Sequence, residues 1–160
     1  MLHRATPADL DAVRRTRLDA LTRAPSAYGS TVERERAYPS DVWRERLHPD
    51  ADPTFLWRDD SGVHGMVVGA PDPVDIHGAR LYAMWVRPES RGSGVADALV
   101  EAVVDWSSGR DARAVRLHVT EGNRPAARLY ERHGFSLSGV TEVRERDGAV
   151  EIEYERRLAG

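Results

Sequence analysis

Apolar positions along this chain follow a period near two in some stretches and near 3.6 in others, and each switch marks the border of an element. Residues 2–5 predict a short first strand. Thr6-Pro7-Ala8-Asp9 then predicts a helix entry, with Thr6 as cap, Pro7 in the first turn and Asp9 near the positive helix end. Leu10, Val13, Arg17, Leu18 and Leu21 extend that helix amphipathically. Residues 24–31 predict a loop, followed by a second helical region in which Ser40 caps residues 41–47. Residues 54–58 and 63–70 alternate as strands joined by the hairpin signal Asp59-Asp60-Ser61-Gly62. Residues 71–78 predict an exposed loop, 80–87 a fourth strand and 114–120 a fifth. Between these two strands Val95, Leu99, Ala102, Val103 and Trp106 recur at helical spacing. Residues 135–144 and 150–158 close the pattern as a hairpin around Arg146-Asp147-Gly148.

The unit of strand four, helix and strand five is a parallel crossover, expected to be right-handed. The hairpins around it supply antiparallel strands. The expectation is an α/β fold of the α+β type, a mixed and mostly antiparallel sheet with helices on both faces. Neither repeats nor a low-complexity linker interrupt residues 1–160, which predicts a single domain.

Chemistry concentrates where strand four runs into its helix, at Trp85-Val86-Arg87-Pro88-Glu89-Ser90-Arg91-Gly92-Ser93-Gly94-Val95-Ala96. Pro88 ends strand pairing because it has no N–H to donate. Gly92 and Gly94 permit a tight turn and close approach of a ligand. The first-turn N–H groups of the helix lack internal partners, so the segment is a candidate cradle for phosphate. A dinucleotide fingerprint would place Gly or Ala where Asp97 stands, and a mononucleotide P-loop needs a lysine that this chain does not contain.

The pattern Arg91-x-x-Gly94-x-Ala96 resembles the Arg/Gln-x-x-Gly-x-Gly/Ala signature of the GNAT superfamily of acetyl-CoA-dependent N-acetyltransferases. Downstream, Asn123-Arg124-Pro125-Ala126-Ala127-Arg128-Leu129-Tyr130-Glu131-Arg132-His133-Gly134-Phe135 is similar to the family pattern Asn-x-x-Ala-x-x-Leu-Tyr-x-x-x-Gly-Phe at every specified position. Asn123 can cap the helix, Pro125 is tolerated in its first turn, and Gly134 can stop it before a new strand. The resemblance covers roughly residues 60–158.

The resemblance implies a seven-stranded sheet whose strands four and five splay into a V-shaped slot. Acetyl-CoA would lie there as cosubstrate, its pantetheine arm against backbone groups of Met84, Trp85 and Val86. Its diphosphate would meet Arg91, Gly92, Ser93, Gly94, Val95 and Ala96, with Asn123 and Ala126 lining the arm. Tyr130 stands where the family commonly places a tyrosine facing the coenzyme sulfur, in position to assist the departing thiolate. His118 occupies the place, five residues before the motif asparagine, where the family members that acetylate ribosomal-protein N-termini carry a catalytic glutamate. A histidine there can accept the amine proton near neutral pH. Glu33 and Glu35 are rival bases or amine anchors, or else a solvated charged face. The implied reaction is direct attack of a primary amine on the thioester in a ternary complex. An acyl-CoA-binding sensor or partner-binding module is the alternative, with a dinucleotide-binding oxidoreductase behind it.

Composition narrows the partners. A formal net charge of −3 argues against a nucleic-acid surface. No run reaches membrane-spanning length and the first residues lack a signal-peptide core, so a cytoplasmic protein with no membrane partner is expected. With no cysteine, disulfides, thiolate zinc sites and a cysteinyl intermediate are excluded. The histidines show no metal-ligand spacing, so no metal is expected. All 23 basic residues are arginine, a bias best assigned to codon usage. The expected acceptor is a small-molecule or peptide amine, and many members of the family are homodimers.

Overall fold

The computed structural model describes residues 1–159. Its strands are β1 (Leu2–Arg4), β2 (Thr54–Asp59), β3 (Gly62–Pro71), β4 (Gly78–Val86), β5 (Ala114–Thr120), β6 (Ser136–Val143) and β7 (Val150–Arg157). They form one sheet in the order β1-β2-β3-β4-β5-β7-β6. β4 and β5 are parallel, and every other neighbouring pair is antiparallel. This is the mixed seven-stranded architecture the sequence pattern and the family resemblance led us to expect.

Five α-helices flank the sheet. They are α1 (Leu10–Arg23), α2 (Val32–Arg36), α3 (Ser40–Glu45), α4 (Val95–Gly109) and α5 (Arg124–Arg132). Alternation along each strand divides the apolar side chains between two cores. Leu81, Val86, Leu117 and Val119 pack with Leu99, Val100 and Val103 of α4 on one face. Leu56, Met66, Val68 and Trp85 pack with Val13 and Ala20 of α1 on the other. Burying each such side chain is worth about 1.5–3 kcal/mol, so both faces contribute to stability. A Cβ on Gly69 of β3 would lie 2.9 Å from the Trp106 ring, so glycine there lets α4 settle onto the sheet. Among the described residues, no helix is long and apolar enough to cross a membrane.

Several boundaries differ from the sequence expectation. β3 and β4 each run further than expected, because Pro71 pairs with Ala79 across their hairpin. The connecting loop is not wholly exposed, since Asp72 is buried and receives Arg80 at 3.3 Å and Arg116 at 3.2 Å. The second helical region is two short helices. Thr31 caps α2 by accepting from the Arg34 N–H, whereas Ser40 lies inside α3, after Pro39. At the chain start the Thr6 N–H donates to the Asp9 carboxylate at 2.9 Å, so the aspartate side chain closes that turn.

Candidate active site

Pairing of β4 with β5 is confined to Gly78–Ala114, Ala79–Val115 and Arg80–Arg116. Beyond these three pairs the strands part, and β4 keeps only β3 as neighbour. The closed end is pinned by charge. Arg80 and Arg116 lie on the same face and share Asp72, and each also approaches Glu153 of β7. The open end begins where β4 bulges. Met66 pairs with Trp85 and Val68 with Tyr82, so Val67 stands opposite both Ala83 and Met84. Ala83 accordingly takes a φ of 55°, a left-handed conformation that costs an ordinary side chain roughly 1–2 kcal/mol. As a result both Tyr82 and Ala83 line the cavity on the α1 side, which strict alternation forbids.

The backbone groups implied as free are partly engaged. Tyr28 donates its hydroxyl to the Met84 carbonyl at 2.7 Å, and Arg91 Nε donates to the Val86 carbonyl at 3.2 Å. The Trp85 carbonyl faces β3, only 2.8 Å from where a Cβ on Gly65 would sit. The expectation of open Met84, Trp85 and Val86 groups is corrected to this extent: the two open-edge carbonyls hold hydrogen bonds that an incoming arm would have to replace. Arg91 also covers the Trp85 ring at 5.2 Å, so it braces the loop.

From Arg91 to Ala96 the loop has the shape of a cradle. Gly92 and Gly94 have φ of +79° and +89°, and Val95 opens α4 with its side chain buried in the core. Ser93 donates its hydroxyl to the Ser90 carbonyl, tightening the turn. Ser90 is itself tied down: its oxygen contacts His64 Nδ1 at 2.5 Å and accepts from Arg87 Nε at 3.0 Å. His64 Nε2 reaches Asp59 at 2.8 Å, so the β2–β3 turn anchors the cradle. Hydrogen bonds from Ser61 and then His64 hold the Asp59 carboxyl well below the usual range. Asp97, a negative charge beside the helix start, is answered by His133 and Arg132, each at 2.7 Å.

Asn123 caps α5 by accepting from the Ala126 N–H at 3.3 Å, which places Ala126 and Tyr130 against the core shared with Met84. Tyr130 is 5% exposed and meets Phe135 edge-on at 5.8 Å. Burial pushes its phenol well above the ordinary value, and the nearby Tyr28 phenol adds to the shift. Burial also raises Tyr28, to about 12. Two neutral phenols therefore share the open end of the splay.

His118 lies on the opposite face of β5 from Leu117 and Val119, beyond the last β4–β5 pair. It is half-buried between Glu151 at 3.5 Å and Glu153 at 3.6 Å, with Arg80 at 3.5 Å. The fold also brings Glu142 near, so that one ligand atom each from His118, Glu142 and Glu151 lies within 4.8 Å of the others. Glu151 is held by Arg144 at 3.2 Å. That grouping was illegible in sequence because β6 and β7 supply the carboxylates.

Glu33 is exposed, as a solvated face requires, but Glu35 is 2% exposed. Arg17 grips it with two hydrogen bonds, at 3.2 and 3.0 Å, and Arg46 adds a third at 3.2 Å. Glu35 is therefore neither a solvated charge nor a free base. Burial alone would raise its carboxyl, yet the hydrogen bonds and charge of Arg17 outweigh it and leave it below the ordinary 4.5. A lowered folded value means that its stabilising contribution is complete above about pH 4.5 and lost as pH falls below it. Urea melts from pH 7 down to about pH 2.5 should show a plateau above about pH 4.5 and this loss below it, and Glu35→Gln should make the acid limb shallower.

The segment 24–31 is strapped across the slot. Ser26 O accepts from Arg144 at 2.7 Å, and Arg146 donates to Pro25 O at 3.1 Å and Tyr28 O at 2.6 Å. Sequence reasoning missed Tyr28 because nothing local marks it; only the tertiary contact with Met84 does.

A model of the acetyltransferase (GNAT) family matches residues 17–135. Mycothiol acetyltransferase of Thermobispora bispora is 38% identical over 82 residues, covering 51% of this chain and 25% of that protein. The chain spans only 22% to 39% of the length of five curated relatives that it matches. Ribosomal-protein-alanine N-acetyltransferase of Brucella melitensis superposes with a TM-score of 0.79 at 21% identity, covering 99% of each chain. The yncA protein of Salmonella typhimurium, solved with its cofactor acetyl-CoA, gives 0.81 at 16% identity, over 100% of this chain and 94% of that one.

Proposed function

Because the chain belongs to the acetyltransferase (GNAT) family, we propose that it transfers the acetyl group of acetyl-CoA to a primary amine by direct attack in a ternary complex. The observation that carries this reading is the parting of β4 from β5 after Arg80–Arg116, directly alongside the Arg91–Ala96 cradle. Main-chain amides of the cradle and the positive end of α4 hold the diphosphate. The pantetheine arm takes over the open-edge carbonyl of Met84 from Tyr28.

The amine nitrogen bonds to the thioester carbon, and an open-edge amide of β4 stabilises the oxyanion. An alkyl amine of pKa about 10.4 is almost wholly charged near pH 7, so a proton must first leave it. His118 accepts that proton, directly or through water, with Glu151 and Glu153 steadying the imidazolium. The carbon–sulfur bond then breaks, Tyr130 gives its proton to the thiolate, and the second proton of the acylated nitrogen passes through water to the resulting phenolate. Burial keeps the phenol protonated but also weakens it as an acid, so its assistance begins as a hydrogen bond to the sulfur as charge develops there.

Calorimetry with coenzyme A and acetyl-CoA, followed by free-thiol release over a panel of amines, tests the reading. Binding together with amine-dependent thiol release is expected. Binding without release from any amine would favour an acyl-CoA sensor, and no binding by folded protein would end the assignment.

A further inference from the structure

Three adjacent strands, β5, β7 and β6, bring His118, Glu151 and Glu142 together on one face of the sheet. Glu142 pairs directly with Glu151 across β6 and β7, and His118 pairs with Glu153, two residues further along β7. Local spacing carries no trace of the grouping, because each member comes from a different strand. Like charges directly opposite one another in a sheet repel. Arg144 answers Glu151 at 3.2 Å, whereas Glu142 forms no salt bridge among the described residues. A cation between the two carboxylates would turn that repulsion into attraction.

The ligand atoms are already close to the spacing an ion requires. Arg144 Nη1 holds Oε1 of Glu151, and Oε2 of the same carboxylate stands 3.5 Å from His118 Nδ1. Ligands about 2.1 Å from a tetrahedral ion lie about 3.4 Å from one another, so these two need almost no movement. Glu142 completes a triangle with no edge longer than 4.8 Å, and its side chain is exposed and able to close the remaining gap. Behind the ring, Nε2 faces Glu153 at 3.6 Å, a buried carboxylate held by Arg80 at 3.0 Å and Ser138 at 2.9 Å. A carboxylate behind a ligating histidine fixes the ring and makes it a stronger donor.

The charge balance is negative with exposed and buried groups counted alike. Glu142, Glu151 and Glu153 surround the ring with three carboxylates, against the two guanidiniums of Arg80 and Arg144. Those arginines also hold Asp72 and Asp147, which Arg116 and Arg146 match, so one negative charge remains.

We propose that His118 Nδ1, Glu151 Oε2 and a carboxylate oxygen of Glu142 bind a first-row divalent transition-metal cation, with water completing its shell. One imidazole and two carboxylates suit zinc and its neighbours, whereas calcium and magnesium prefer oxygen throughout. The bound ion takes the lone pair with which His118 would accept the amine proton, and so inhibits acetyl transfer. The site itself stands apart from the transfer reading; only this inhibition rests on it.

Zinc chloride, added to the protein in a buffer that does not chelate, tests the site. Calorimetry should find one tight site. In 15N-labelled protein the ring resonances of His118 should shift at one equivalent while those of the other histidines stay put. Glu142→Gln keeps the side-chain shape and removes the charge facing Glu151, so it should fold normally, keep the basal rate and bind zinc roughly tenfold or more weakly. Calcium should bind wild-type protein roughly a hundredfold more weakly than zinc. The proposal is overturned if Glu142→Gln binds zinc as tightly as wild type, or if another histidine shifts in place of His118. Equal affinity for calcium overturns it too, since attraction to acidic groups alone would explain the binding. In the transfer assay, zinc at its dissociation constant should halve wild-type turnover, and Glu142→Gln should need roughly ten times more for the same effect. Zinc bound at His118 with turnover untouched would keep the cation site and remove His118 as the base. Absence of any acetyl transfer would end the transfer reading and leave the zinc measurements to decide the site.

Discussion

Replacing Gly94 with tryptophan should abolish coenzyme A binding while the protein still folds. Gly94 has a φ of +89°, so any L side chain there is strained. Such strain costs about 1–3 kcal/mol and should lower the melting temperature by only several degrees in a domain of this size. A Cβ at this position meets nothing within 4 Å, so the protein offers no clash that would prevent folding. The open space is the mouth of the cradle. An indole planted there would occupy the volume proposed for the diphosphate and would hold it away from the amides that open α4. The expected loss of affinity is at least a hundredfold by calorimetry, with the circular dichroism spectrum unchanged. Near-normal affinity in this variant would mean that the coenzyme binds elsewhere, and the cradle would lose its role.

Tyr130→Phe should lower kcat by about a hundredfold, in the range of a lost general acid, with little change in acetyl-CoA affinity. The change removes one oxygen and keeps the ring that packs edge-on against Phe135, so stability should hardly move. The pH dependence adds a check. Burial raises the phenol above its ordinary pKa of 10, so the wild-type hydroxyl keeps its proton throughout the working range. The ratio of wild-type to variant turnover should therefore be constant between pH 6 and 9, where no ionisation of Tyr130 intervenes. Full activity in the variant across that range would remove Tyr130 from the thiol end. Tyr28, the second buried phenol at the splay, would then be the next residue to test.

Both residues were legible without a structure, for a physical reason. A positive-φ glycine before a helix and an asparagine cap followed by one apolar face are local solutions, fixed by neighbours a few residues away. The cradle, the α5 segment and the order of strands and helices follow from such spacing, and so does the placement of His118 on the face opposite Leu117 and Val119. Glu35 shows the limit. Its surroundings in sequence, Glu33-Arg34-Glu35-Arg36, look like a solvated run, and its burial comes from Arg17 one helix away. Ser40 failed differently, because Pro39 before it takes the cap position and draws the serine into the first turn.

What the order of residues settles, then, is the succession of strands and helices and, for most of them, the buried face, since these depend on contacts within a turn or two. The tertiary structure decides which carbonyls of β4 are engaged and which loop is tied down beside them. Those depend on residues brought together from far apart, such as Tyr28 on Met84 or Arg144 on Ser26, 118 positions away. No local periodicity encodes such pairings, because they are set only when two packed layers close on one another.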